Sequence, residues 1–224
     1  MFRALVNAIR GRRIHHPQVQ VPKKLLGSAY GGHTVALNAK PFGCIYSFGI
    51  GEDASFDLAA IEEFGCEVFA YDPTPKSSAW VQRNVRSPRF HFSPIGVSDR
   101  NGEVGMVKPE QPSHVSFSAT NGRKASHTFP VRRVIDLVGD NGHEASDLFI
   151  LKMDIEGFEY QVLPDLFASG IYPRQILVEF HHGMYGFSTQ DTRKAVQLLN
   201  EKGYDLFHVA DTGREYSFIL PQTA

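Results

Sequence analysis

Two short segments gather the side chains best able to move a proton. In LKMDIEGFEYQVL, Asp154, Glu156 and Glu159 follow an apolar run, and in QILVEFHH, Glu179, His181 and His182 close another. An imidazole titrates near neutral pH and can act as a general base, whereas a carboxylate does so only when burial or a neighbouring negative charge raises its pKa. His181 and Asp154 are therefore the preferred bases, with Glu156 and His182 as further catalytic candidates. Alternation along a strand sends Glu179 and His181 to one face and His182 to the other, so one imidazole points into any cleft at the strand end. The plainer alternative makes Glu156 and Glu159 acids of a helix start and the two histidines strand-end packing. Asp154, Glu179 and His181 also offer oxygen and nitrogen donors of the kind a divalent ion accepts, but their spacing is not diagnostic and no metal is assigned.

A third segment, CIYSFGIGEDASFD (44–57), asks for a ligand rather than a proton. An apolar run ends in Gly49 and Gly51, acids follow, and a helix begins near Ser55. GIGEDA (49–54) fits the G-x-G-x-x-[GA] pattern, in which glycines allow a tight turn and a close approach to a nucleotide. Asp72 follows at the end of the next strand, placed to accept hydrogen bonds from ribose hydroxyls. A dinucleotide would bring a pyrophosphate to this helix start, yet Glu52, Asp53 and Asp57 crowd it with negative charge. S-adenosylmethionine carries a sulfonium and an ammonium and no phosphate, so the acids favour it.

These groups need a scaffold that brings strand ends together. From residue 44 onward, β-rich runs alternate with helical patterns: CIYSF (44–48), CEVFAYD (66–72), RFHFSPIGV (89–97), DLFILKM (147–153) and QILVEF (175–180) read as strands. Helices fall at 55–65, 75–84, 158–170 and 189–203, with a shorter one in RRVIDLVGD. The stretch 98–130 reads as largely irregular apart from a strand-like HTFPV (127–131) at its end, and YDLFHVA and REYSFIL form a final hairpin across DTG. The expected fold is α/β and Rossmann-like: a mostly parallel sheet with an antiparallel C-terminal hairpin and helices on both faces. Ligands of such sheets sit at the carboxyl ends of the strands where strand order reverses.

YSFGIGEDASFD, YDPTP, SPIGVSDRNGEV, LKMDIEGFEYQVL and LVEFHH, in this order, resemble the FkbM-type family of S-adenosylmethionine-dependent methyltransferases over about residues 25 to 220. The Lys-x-Asp-x-Glu-Gly-x-Glu segment is the most specific part. The resemblance implies a seven-stranded methyltransferase sheet and methyl transfer, often to a hydroxyl oxygen of a sugar or related metabolite. It places Gly49 and Gly51 under the cofactor, Asp72 at its ribose, and Ile95 and Gly96 beside its adenine. Methyltransferases of this fold commonly carry an acid two residues before the first glycine, where this chain has Ser47. Contact with the methionine ammonium then falls to Glu52, Asp53 or Asp154. GSAYGGHT (27–34) looks like a segment that precedes the first strand in relatives, with Tyr30, Gly31 and Gly32 over the cofactor.

With 224 residues, 42% hydrophobic and 21% charged, the chain suits one soluble domain, taken as 25–224. No apolar run approaches the roughly 20 residues of a membrane span. Cys44 and Cys66 start buried strands with no metal spacing, which fits reduced thiols and a cytoplasmic protein. Residues 1 to 51 hold seven Lys or Arg and no acid, and Phe2, Leu5, Val6 and Ile9 recur at helical spacing. Residues 1–24 thus read as a basic amphipathic arm, whose first thirteen residues either pack on the domain or touch an anionic membrane surface or a partner. The acidic body argues against nucleic acid. The expected partner is a small or carbohydrate-like methyl acceptor. Two alternatives are a nicotinamide-dependent oxidoreductase, permitted by GIGEDA, and a cofactor-binding module without turnover.

Overall fold

The computed structural model describes residues 13–107, 118–119 and 124–221. The proposed arm's first twelve residues lie outside these; residues 13–24 pack on the sheet edge, with Val19 and Val21 against Phe207 and Ile219. Gln18 exchanges hydrogen bonds of 2.7 Å with the backbone of Leu206.

A hairpin of β1 (Lys23–Leu26) and β2 (His33–Ala36) precedes the main sheet. The sheet contains β3 (Cys44–Phe48), β4 (Glu67–Tyr71), β5 (Phe90–Ser93), β10 (Leu148–Met153), β11 (Gln175–Glu179), β12 (Asp205–Val209) and β13 (Glu215–Ile219). Its order is β12-β13-β11-β10-β3-β4-β5, and β13 alone runs against its neighbours. The expected α/β sheet with a reversed C-terminal hairpin is therefore present. Its strand order reverses between β3 and β10, so the ends of these two strands define the crevice.

The central strands β3 and β10 are buried along their whole length, as apolar strands covered on both faces must be. Helices α1 (Ser55–Phe64) and α2 (Pro75–Asn84) contribute to one cluster, with Phe56, Ala60 and Val81 packed near Ile45 and Val68. On the other side lie α3 (Val134–Asp140), α4 (Glu159–Ala168) and α5 (Thr189–Glu201), whose Leu137, Leu163, Leu166 and Leu199 join Tyr46 and Val178. Gly65 ends α1 in the left-handed conformation at φ 66°, its N–H returning to Ile61 O at 2.9 Å. Among the described residues no helix is long and apolar enough to cross a membrane.

Two stretches differ from the sequence reading. The expected strand 89–97 breaks at Pro94, which has no N–H to give a ladder. Ile95 N turns back to Ser93 O at 2.9 Å, and β6 (Gly96–Val97) leaves for another sheet. That sheet, β6-β9-β7-β8, also holds β7 (Gly102–Val107), β8 (Ser118–Ala119) and β9 (His127–Arg132), so HTFPV is the strand it reads as, whereas Gly102–Val107 forms a strand where an irregular stretch is expected. Its inward positions, Val104, Met106, Phe129 and Val131, alternate at period two and are buried.

Candidate active site

Two rims face each other across the crevice. The first is the turn after β3. Gly49 and Gly51 have φ of 81° and 58°, a region that costs residues with a Cβ about 1–2 kcal/mol. A Cβ on Gly49 would come 1.7 Å from Asp154 O, so the turn lies directly against the end of β10. A Cβ on Gly51 would meet nothing within 4 Å, which leaves its outer side open.

Asp72, at the end of β4, braces this turn. Its Oδ2 accepts from Ile50 N at 3.0 Å and Gly51 N at 2.9 Å, and its Oδ1 accepts from Thr74 N at 2.8 Å and Thr74 Oγ1 at 2.6 Å. These donors fill the roughly four acceptor positions of an ionised carboxylate. Thr74 also caps α2 by accepting from Ser77 N, while Pro75 occupies the first helical position. Lys152 Nζ donates to Gly49 O from below. Ser47 is fully buried beneath the turn, together with Asp57, whose carboxyl pKa is raised by burial against the opposing pull of Lys152.

The remaining acids of the turn have partners on the protein. Glu52 pairs with Lys76 at 2.9 Å. Asp53 accepts from Ser28 Oγ at 2.5 Å and Ser55 N at 2.8 Å, fastening the 27–32 loop to the start of α1. A Cβ on Gly31 would sit 3.0 Å from Asp53 Oδ2, so this loop runs close against the turn. Ile95 is half-buried and packs on the main apolar cluster, and Gly96 lies beside Pro73 and Val131.

The second rim is built from the ends of β10 and β11. His181 is buried, and its Nε2 lies 3.2 Å from Glu156 Oε2, 3.7 Å from Asp154 Oδ1 and 4.0 Å from Glu179 Oε1. Its Nδ1 is 3.0 Å from Oε1 of the fully buried Glu159. Glu156 and Tyr185 both hold left-handed backbone, φ 54° and 53°, and the Tyr185 hydroxyl donates to Glu156 Oε2. Such conformations cost about 1–3 kcal/mol and persist only where the surroundings impose them. Arg214 approaches Glu179 at 3.7 Å from the far side.

With both rims described, the chain can be set beside known proteins. The family model of the methyltransferase FkbM domain matches residues 44–206. The chain belongs to this FkbM family. It is 25% identical over 174 residues to the human "Probable methyltransferase-like protein 24", and 28% identical over 174 residues to the rat protein of that name. Each match takes in 73% of this chain but 42% of the relative, so the chain spans less than half the length of the curated relatives it matches. The crystal structure of methyltransferase FkbM from Methylobacillus flagellatus KT superposes with a TM-score of 0.52 at 16% identity, over 80% of this chain and 43% of that one. That likeness concerns the fold.

Crowded carboxylates set the titration of the second rim in this FkbM-family chain. Burial, with help from Glu156, pushes Asp154 up to about 6 against the pull of Lys152 and His181. Burial and then Asp154 push Glu179 up to about 8. Burial alone would lower the pKa of His181, but Glu159 and Glu156 hold it well above the usual histidine range. His181 is thus a proton-bearing group among acids, and Asp154 is the carboxylate poised to gain a proton near neutrality. His182 points the other way: its Nδ1 meets Thr192 Oγ1 at 3.1 Å, and burial followed by Arg214 and His181 lowers its pKa.

Asp154, Glu156 and His181 each offer one ligand atom, all within 4.8 Å of one another, a donor set of two oxygens and one nitrogen that suits a divalent ion. Ser28 and Thr74 carry no sequence signal that marks them as site residues, since a Thr two residues past an acid, as Thr74 is past Asp72, is too common a pattern to stand out. Tyr185 lies in HHGMYGFS (181–188), whose Met184, Tyr185 and Phe187 the sequence offers either to an acceptor face or to packing on the following helix.

Proposed function

We propose that this chain is an S-adenosylmethionine-dependent methyltransferase acting on a hydroxyl oxygen of a sugar or related small metabolite. The observation that carries the reading is the turn at Gly49 and Gly51: Gly51 is open on its outer side and bonded to Asp72, while Gly49 packs directly against Asp154 at the end of β10. The turn suits a phosphate-free, positively charged donor, since acids ring the crevice where a pyrophosphate would need a helix start clear of negative charge.

When bound, the donor supplies a sulfonium methyl that an acceptor oxygen attacks: the C–O bond forms, the S–C bond breaks, and the sulfur leaves as a neutral thioether. Gly49 and Gly51 give that donor a floor. Thr74 Oγ1 is the one rotatable donor on Asp72, so a ribose hydroxyl takes its place while the Ile50 and Gly51 N–H bonds stay. The methionine ammonium falls to Glu52, Asp53 or Asp154, of which the first two already pair with Lys76 and Ser28. Ile95 and Gly96 wall the adenine.

Asp154 receives the acceptor's hydroxyl proton, because its raised pKa makes it a better base than an ordinary aspartate. His181 offsets part of the charge of Asp154, Glu156 and Glu179, and Tyr185 holds Glu156. His182 takes no part. Residues 1–13 contribute peripheral contact with an anionic surface or partner, and the site faces the cytoplasm.

Calorimetry with S-adenosylhomocysteine and with NAD tests the donor. Binding of the first and not the second is expected; the reverse would establish the oxidoreductase alternative. Incubation with methyl-labelled donor and a fractionated metabolite extract then identifies the acceptor. Donor binding with no labelled product in any fraction would favour a module without turnover.

A further inference from the structure

We propose that Glu159 is a positioning residue that locks His181 in one ring orientation, with a proton on Nδ1, so that Nε2 alone faces the reacting carboxylates. The inference rests on the methyltransferase reading for its purpose, and on hydrogen-bond geometry for its content.

Glu159 is the first residue of α4 and has no exposed surface. Its Oε2 accepts from Gly157 N at 2.9 Å, and its Oε1 accepts from His181 N at 2.9 Å while lying 3.0 Å from His181 Nδ1. Backbone N–H groups can only donate, so both oxygens act as acceptors, and the only bond that could carry a carboxyl proton is the one to Nδ1. A carboxylate that already accepts from two backbone N–H groups acts as an acceptor on both oxygens, so that proton is placed on the ring. A ring held through Nδ1 and through its own backbone N–H cannot flip without breaking a buried, charge-assisted hydrogen bond.

The same carboxylate reaches the other half of the rim. Gly157 N follows Glu156, the residue in left-handed backbone, so Oε2 helps to hold the turn that aims Glu156 Oε2 at His181 Nε2. One buried group therefore ties the end of β11 to the turn after β10. Preorganising such a pair before a substrate arrives removes an entropic cost from the reacting complex.

Nitrogen-detected spectroscopy of labelled imidazoles reads the protonation and hydrogen bonding of each ring nitrogen directly, and a role confined to stability would not move them. With S-adenosylhomocysteine bound, wild-type His181 is expected to show a protonated Nδ1. Glu159→Gln, which can turn its NH2 toward the ring, should give a mixture of ring states with S-adenosylhomocysteine affinity within about threefold of wild type. If Glu159→Gln does not fold, Glu159→Asp, one methylene short of reaching both backbone strands, should show the same loosening. An unprotonated Nδ1 in the wild type, or an unchanged His181 signal in a folded variant, would overturn the proposal. Wild-type protein that binds the thioether with a loose ring sinks this inference alone; wild-type protein that does not bind it sinks the methyltransferase reading.

Discussion

The two rims of the crevice are built on opposite principles. At the turn of Gly49 and Gly51 itself, Asp72 takes four donors and Lys152 holds the Gly49 carbonyl, while Ser47 Oγ and Asp57 Oδ1 lie buried beneath it without a hydrogen-bond partner. Around Asp154, Glu156, Glu179 and His181, like charges are packed together, two residues hold left-handed backbone, and carboxylate pKa values rise. A paired rim has little to gain by moving and suits holding a ligand. A crowded rim stores unfavourable energy that a proton or a cation relieves, and suits reaction.

The contrast is broken most violently at Gly49. Gly49→Ala drives a methyl into Asp154 O, with no flexible side chain to yield, and should destabilise the fold by at least about 3 kcal/mol. Gly51→Ala meets no neighbour and should cost only the left-handed backbone, about 1–2 kcal/mol, while narrowing the donor's floor. Thermal denaturation of the two variants side by side checks the difference.

On the crowded rim the order of effects reverses. Asp154→Asn should lower turnover of the acceptor identified with labelled donor by roughly 10²–10⁴-fold. Stability should hold or rise by up to about 1 kcal/mol, because a repelling carboxylate has gone. A fall in stability without loss of turnover would place Asp154 among the structural acids.

A further effect is a pH slope. Glu179 has a folded-state pKa of about 8 against 4.5 for the free group, so the folded chain binds the proton more tightly. Its contribution to stability is present below about 4.5 and is lost as pH rises through about 8. His181, also raised, acts with the same sign. Thermal stability followed across this window should fall less steeply with pH in Glu179→Gln than in the wild type.

Sequence patterns carried the main sheet well, because β3, β10 and β11 are apolar runs of strand length and the helices between them show helical period. They carried the small sheet in part: HTFPV reads as a strand, as β9 is, whereas the alternation of Val104 and Met106 in β7 is masked by the glycines beside them. At the site, residue types and strand alternation placed His181 and His182 on opposite sides, as the structure has them. Whether Glu159 merely starts a helix or grips a histidine depends on a contact 22 residues away, which no local pattern encodes. The four donors on Asp72 were equally hidden, since two of them come from a turn more than twenty residues earlier.

Whether the braced turn holds a sulfonium donor is read from titration of S-adenosylhomocysteine into wild type and Asp72→Ala. Loss of the carboxylate leaves Ile50 and Gly51 N–H groups without their acceptor, at a cost of about 1–3 kcal/mol each, and removes the sugar's partner. Wild-type binding that weakens at least about tenfold in a folded Asp72→Ala protein is the predicted result. Equal affinity in the two proteins, or a folded wild type that does not bind at all, would contradict the account.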